Sequence, residues 1–295
     1  MWRVGVIGLM LVFTANIASS NDEFAEKERT GWAFYLDNDL LTTGDNDQDY
    51  TGGAAATLSG AAVADYPLSV DSWLSGLNRF SGLESVHPDR IHFQRHNFEF
   101  GFTLFTPADI SAVDPIRDDH PYASLFFVSN TQQTIVPETG TVYQSSLTVG
   151  FLGLDVAEGV QGLIHDVVGS DKPKGWDNQI SSGGEPTAKY GVSRQKAYFQ
   201  RYGPRGLRGE FYLWIGASLK YRLYNAILQG QFRDSEVAFK RSELEPGIAE
   251  VWVGVTRQFN NGVSTSVFVR GRTKEISGPK GRVPVWGGVI FSRAF

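Results

Sequence analysis

Two short stretches bring together residue types that can hold a cation and activate a water molecule. Asp37-Asn38-Asp39 is followed closely by Asp45, Asp47 and Asp49, a density of hard oxygen ligands that suits Ca²⁺. The spacing departs from the twelve-residue calcium loop, and a solvated acidic loop is the alternative reading. Gln161 and His165 stand four residues apart, so on a helix they project together. An imidazole there can take a proton from water near neutral pH; a boundary histidine on a docking helix is the bland alternative. Tyr50-Thr51-Gly52-Gly53 lies directly across a hairpin from the first stretch, which sets Thr51 near Asn38 or Asp39. Taken alone, Thr51 is also an ordinary β-former opening a strand. In Phe105-Thr106-Pro107 and Asp118-Asp119-His120-Pro121-Tyr122 the prolines act as punctuation: Pro107 stops one strand and Pro121 marks the next. His120 reads as an exposed loop histidine.

The elements that must position these residues are strands. Segment 92–106 sets Phe98, Phe100, Phe102 and Leu104 on one face against Arg95, Asn97, Glu99 and Thr103 on the other. Segment 211–223 repeats the pattern, with Phe211, Leu213, Ile215, Leu219 and Tyr221 against Trp214, Ser218, Lys220 and Arg222. Period-two alternation is the strand pattern. Basic residues alternating with large apolar ones suit a wall with lipid outside and a polar lumen inside; a soluble sandwich strand is the alternative. Segment 155–169 stands apart. Asp155 can cap, Glu158 follows three residues on, Gly169 suits the C-terminal end, and Val156, Val160, Leu163, Ile164 and Val167 form a helical stripe. This helix would carry Gln161 and His165.

Composition fits an exported β-barrel. Residues 1–20 read as a signal peptide, with Arg3, an apolar run at 4–13, and Ala18 and Ser20 before the cleavage point; residues 21–295 would form the barrel. The chain has 33 Gly, 20 Phe, 11 Tyr, 7 Trp and no Cys, so disulfides cannot brace it in an oxidising compartment. A closed barrel braces itself by pairing every backbone group. The net charge of −5 argues against nucleic acid as a partner. Val283, Val285, Val289, Phe291 and Phe295 share one face of a last strand ending in an aromatic residue, although Arg293 interrupts it. Such a strand resembles the signal read by the barrel-assembly machinery. Reading strands at 31–41, 50–59, 92–106, 121–132, 141–152, 187–199, 210–224, 226–232, 236–242, 249–259, 263–272 and 283–295 predicts an all-β, transmembrane antiparallel barrel of about twelve strands with a short helix in an outer loop. An even count puts the tight Asn260-Asn261-Gly262 turn and both chain ends in the periplasm. The outer loops are then 42–49, 107–120 and 153–186, and every motif above borders one of them. Segment 60–91 is a long inner connection, with a helix around 69–80 expected on the membrane surface.

At these residues the chain resembles the lipid A 3′-O-deacylase family of outer-membrane enzymes. The resemblance rests on Asn38-Asp39, Tyr50-Thr51-Gly52-Gly53, Phe105-Thr106-Pro107, 119–122, Gln161-xxx-His165, Gly169 and Gly175-Trp176-Asp177-Asn178-Gln179, in family order over about 30–180. It implies a barrel of about twelve strands in the Gram-negative outer membrane, lipopolysaccharide as partner, and calcium-assisted hydrolysis of the 3′ acyloxyacyl ester of lipid A. By position it implies His165 as general base, Gln161 orienting it or the substrate, Asn38 and Thr51 completing the catalytic set, and Asp39 as calcium ligand. Asp171, where relatives carry Glu, and Trp176 would face substrate. Two departures bear on phosphate binding: His120 stands where relatives have Arg, and a lysine found in some relatives is missing from 108–113. The competing classes are a passive porin, an outer-membrane phospholipase, whose His-Ser motif His96-Asn97-Phe98 does not supply, and a catalytically inactive structural barrel.

Overall fold

The computed structural model describes residues 25–39, 49–83, 93–168, 173–202, 210–259, 261–279 and 281–295. The signal segment 1–20, the acidic tip with Asp45 and Asp47, and Asp171 fall outside them. Ten strands are present among the described residues: β1 (Gly31–Asn38), β2 (Asp49–Ser59), β3 (Phe93–Thr106), β4 (Ala123–Val136), β5 (Thr141–Leu152), β6 (Glu185–Tyr202), β7 (Glu210–Tyr221), β8 (Gly247–Gln258), β9 (Val263–Arg272) and β10 (Val285–Ala294). Each pairs antiparallel with its sequence neighbours, and β1 also pairs with β10, from Gly31↔Ala294 to Asn38↔Gly287, so the sheet closes on itself.

The strand count differs from the expected twelve. Residues 226–232 begin a short helix, α3 (Ala226–Gln229), and 236–242 run irregularly into a 3₁₀ turn at Arg241–Glu243. Asn225 caps α3 through its side chain, and Ile227 and Leu228 are buried, so the apolar run there packs as a plug and does not join the wall. Both lost strands come from one connection, so the count stays even and the parity argument survives. The turn at 259–262 is tight, as expected: Gly262 has φ +79°, and Phe259 N–H bonds the Val263 carbonyl at 2.7 Å.

Closure sorts the side chains. On β3 the odd positions face the lumen: Glu99 accepts from Thr57 at 2.9 Å, and Phe105 joins a core with Tyr35, Tyr50, Leu125 and Trp286. The even positions face outward. The lumen is filled from both directions. Loop residues Ile180, Ala226 and Ile227 plug one end, while Lys220, Glu250 and Arg270 form ion pairs below. Trp214 and Trp252 lie across Gly254 and Gly216, where an added Cβ would come within 2.3 Å of the facing ring.

Two helices clad the outside. α1 (Asp71–Phe80) comes from the 60–91 connection and sits on the outer wall of β4 and β5 near the end that holds the chain termini. α2 (Val156–Val168) lies in the β5–β6 connection, as the periodicity predicts, and packs at the opposite end.

Candidate functional site

Asn38 and Asp39 are adjacent, and in an unbroken strand their side chains would leave on opposite faces. Two local features remove that obstacle. β1 ends at Asn38, with Asp39 already in a helical turn. On the facing strand a β-bulge falls between Tyr50 and Gly52 and makes Thr51 the extra residue. Asn38 pairs with Gly52, so the next residues on the two strands, Asp39 and Thr51, meet at the rim. Gly52 is needed here: an added Cβ would lie 2.6 Å from the Asp37 carbonyl and 3.1 Å from the Asn38 amide nitrogen. Thr51 is buried and shares a 2.7 Å hydroxyl contact with Thr106 at the end of β3. Thr106 was quoted in the strand-end motif without a role; its partner became visible only with the β2–β3 register.

The register carries this row outward to the helix. Gly52 pairs with Leu104, and Leu104 packs under α2 with Ala157, Tyr122 and Trp176. Gln161 is buried, and its carbonyl accepts the Trp176 indole N–H at 2.8 Å. Trp176 in turn lies 4.9 Å from the Tyr122 ring. Gly175 lets this happen, since a Cβ there would fall 2.5 Å from Tyr122. Trp176 is thus placed as a buried support for Gln161. The helical backbone sets His165 one turn beyond Gln161 on the same face; its side chain, like Asp171, lies outside the described residues. Asn38 and Thr51 therefore lie on the outward rim of β1–β3, and Leu104 links that rim to the cluster that holds Trp176 and, through it, Gln161 of α2.

His120 is elsewhere and is not the exposed loop histidine expected. Only 2% of it is accessible, and it stacks on Phe105 at 5.3 Å in the mouth of the lumen. Burial pushes its pKa down, against the opposing pull of Asp49. A guanidinium from the β9–β10 connection lies beside it. Arg282 bonds Asp49 at 2.8 Å and also Asp119. Burial would raise the Asp119 pKa, but the hydrogen bond from Arg282 and the Ala108 amide outweigh it and hold it low. Nearby, Glu275 is held down to about 2: Arg272 and Arg222 overcome its burial. The Arg282–Asp49 pair braces the first residue of β2, just before the Thr51 bulge.

A closed, up-and-down antiparallel barrel with a largely apolar outward wall is the architecture of an outer-membrane barrel. The family described as "Outer membrane protein LpxR" matches residues 6–211, and the chain belongs to that family. Among solved structures, LpxR from Salmonella typhimurium is similar with a TM-score of 0.61 and 13% identity, covering 90% of this chain and 100% of that one. No curated protein matches the chain.

Proposed function

We propose that this protein is a lipid A deacylase that hydrolyses the 3′ acyloxyacyl ester from the outer leaflet. The observation that carries the reading is the placement of Thr51 and Asn38 on the outward rim of the wall, next to the Leu104 row that packs with α2 and its Gln161, while loop residues plug the lumen. A lipid ester reaches an outward rim by lateral diffusion, without leaving the bilayer. A porin needs the reverse arrangement, an open lumen and a featureless outer wall. In this reading α2 belongs to an outer loop and the chain termini face the periplasm.

His165 takes a proton from water, and the resulting hydroxide adds to the ester carbonyl carbon. The tetrahedral oxyanion collapses, the C–O bond between the acyl carbonyl carbon and the sugar 3′ oxygen breaks, the whole acyloxyacyl chain leaves as a carboxylate, and His165 returns the proton to the 3′ oxygen. Gln161, fixed by Trp176, holds its face of the helix against the wall. The amide of Asn38 and the Thr51 hydroxyl donate toward the developing negative charge. The donor chemistry around Asp39 suits Ca²⁺ in type: a buried carboxylate beside amide and hydroxyl oxygens, with no nitrogen or sulfur ligand needed. No group of three or more His, Asp or Glu converges among the described residues, so amide, hydroxyl, backbone and water oxygens would complete the shell around Asp39. When bound, Ca²⁺ would polarise the ester carbonyl.

Mass spectrometry of lipid A incubated with folded protein tests the proposal. His165→Ala should lower deacylation by about 10²–10⁴ with the barrel intact, the usual loss on removing a general base. Activity retained within about tenfold would remove His165 from the role. Chelation should stop the reaction reversibly, Mg²⁺ should restore it poorly, and Asp39→Asn should raise the calcium requirement while Asp45→Asn and Asp47→Asn do not. Equal behaviour of the three variants would take the metal away from Asp39.

A further inference from the structure

The outer wall does not offer the same apolar height all the way round. On β7 the outward residues from Phe211 to Tyr221 are exposed, Leu219 at 88%. Ten residues span about 33 Å along a strand, or about 25 Å across the membrane at a tilt near 40°, the height of an outer-membrane apolar band. On β3 the outward row is covered at both ends. Phe98 is 6% exposed beneath the Tyr66 ring, and Leu104 is 2% exposed under α2. From Phe98 to Leu104 is six residue steps, about 20 Å along the strand and about 15 Å across the membrane. Roughly 10 Å of hydrocarbon on that side has no wall to face.

α1 packs beside that row on β4 and β5, where the outward Asn130, level with Phe98, and then Gln132 and Ser145 end the apolar wall as well. Its wall-facing side uses Val70, Leu74 and Leu77 against Leu147, Val149 and Tyr190. Its polar groups are also turned to the wall: Asn78 donates to Gln132 at 2.9 Å and Ser145 at 2.8 Å, and Gln132 donates to Asp71. Outside, beside the exposed Ser72, Gly76 and Arg79, runs an apolar flank. Leu68, Trp73 and Phe80 are 67%, 66% and 93% exposed, and Trp73 and Phe80, seven residues apart, share one flank of the helix. A helix with its polar side on the protein and its apolar flank outside is reversed relative to a helix facing water.

We infer that α1 is immersed in the bilayer. Leu68, Trp73 and Phe80 contact acyl chains of the phospholipid leaflet at the end that holds the chain termini, and they complete the apolar belt that β3–β5 leave short. The inference rests on the outer-membrane placement and is independent of the deacylase reading. The absence of Cys makes the test direct. Nitroxide labels are placed singly through Trp73→Cys and Phe80→Cys, through Leu219→Cys as the lipid reference, and through Ser111→Cys, in an exposed loop, as the water reference. Each variant is checked for the heat-dependent electrophoretic shift and studied in phosphatidylethanolamine–phosphatidylglycerol vesicles. Labels at 73 and 80 should show a several-fold loss of collision with a water-soluble nickel chelate relative to position 111, matching position 219. Nickel collision at 73 and 80 as frequent as at 111 would overturn the inference. Without any label, bromolipid quenching of the native chain should exceed that of Trp73→Phe, and equal quenching would count equally against it.

Discussion

β7–β9 and β3–β5 are parts of one closed wall, yet they meet their surroundings in opposite ways. On the first, the outward rows are bare and largely apolar: Phe211, Leu213, Ile215, Val251, Val253, Val267 and Val269 are exposed, with Arg257 at the end of β8 the charged exception. On the second, the outward face carries Asn130, Gln132 and Ser145, and helical segments cover them. Asn130 accepts the Val70 amide at 2.8 Å, and Asn78 serves the other two. Polar outward residues survive in an apolar medium only with partners, so the clad side could depart from the barrel pattern and the bare side could not. The candidate site lies on the clad side, where α2 packs with Leu104 at the rim of the wall.

The largest effect that would test this contrast comes from charging the bare wall. Ile215→Arg, near the middle of β7, should destabilise the barrel by about 2–4 kcal/mol if it faces the bilayer core. Urea unfolding in lipid vesicles measures this, and an unchanged midpoint would mean that the bare wall is not facing lipid. Next comes the cladding. Asn78→Ala leaves Gln132, Ser145 and the Tyr190 hydroxyl each short of a partner, so a loss of about 1–3 kcal/mol is expected. Protease nicking at the 60–83 segment should rise with it, and neither change would appear if α1 were only resting on the wall.

The lumen mouth gives a smaller, pH-dependent effect. Glu275 has a folded pKa near 2, below its ordinary 4.5. A depressed carboxylate contributes stability that is fully present above about 4.5 and is lost as pH falls toward 2. His120 is also depressed below 6.5, so its neutral form is the favoured one, and acidification below 6.5 begins to withdraw its contribution. Unfolding midpoints against pH should therefore fall in two stages, and Glu275→Gln should flatten the lower one. If the variant keeps the full acid limb, the Arg222–Glu275–Arg272 cluster is not its source. The smallest effect expected is on chemistry. His120→Ala removes a ring stacked inside the mouth, away from the outward site, so deacylation should stay within about tenfold of native, well short of a general-base loss.

Much of the wall could be read from alternation alone. The strands at 141–152 and 263–272 match β5 and β9 at both ends, because period-two patterning is a local property of each segment. The helix at 155–169 was equally local, since its apolar stripe, cap and glycine all lie within it. The errors arose where an apolar run had two possible neighbours. Residues 226–232 are apolar enough for a strand, but their partner is the plug and not the next strand, and no local pattern distinguishes the two. His120 was misplaced for the same reason: nothing within Asp119-His120-Pro121 says that Phe105, fifteen residues earlier, supplies a ring beneath it.

For the site, the sequence by itself determined which residue types were present and at what spacing: an acidic strand end, a threonine opposite it, and a glutamine and histidine one helical turn apart. It also stated the condition for Asn38 and Asp39 to act together, a strand that ends or bulges. Only the tertiary structure decided that both happen, with β1 stopping at Asn38 and β2 bulging at Thr51. It alone supplied the Thr106 partner, the Trp176–Gln161 bond and the Arg282 brace. The physical reason is that side-chain period and helix spacing are fixed along one chain segment, whereas register, bulges and docking depend on contacts between segments 15 to more than 150 residues apart, whose energies no single segment encodes.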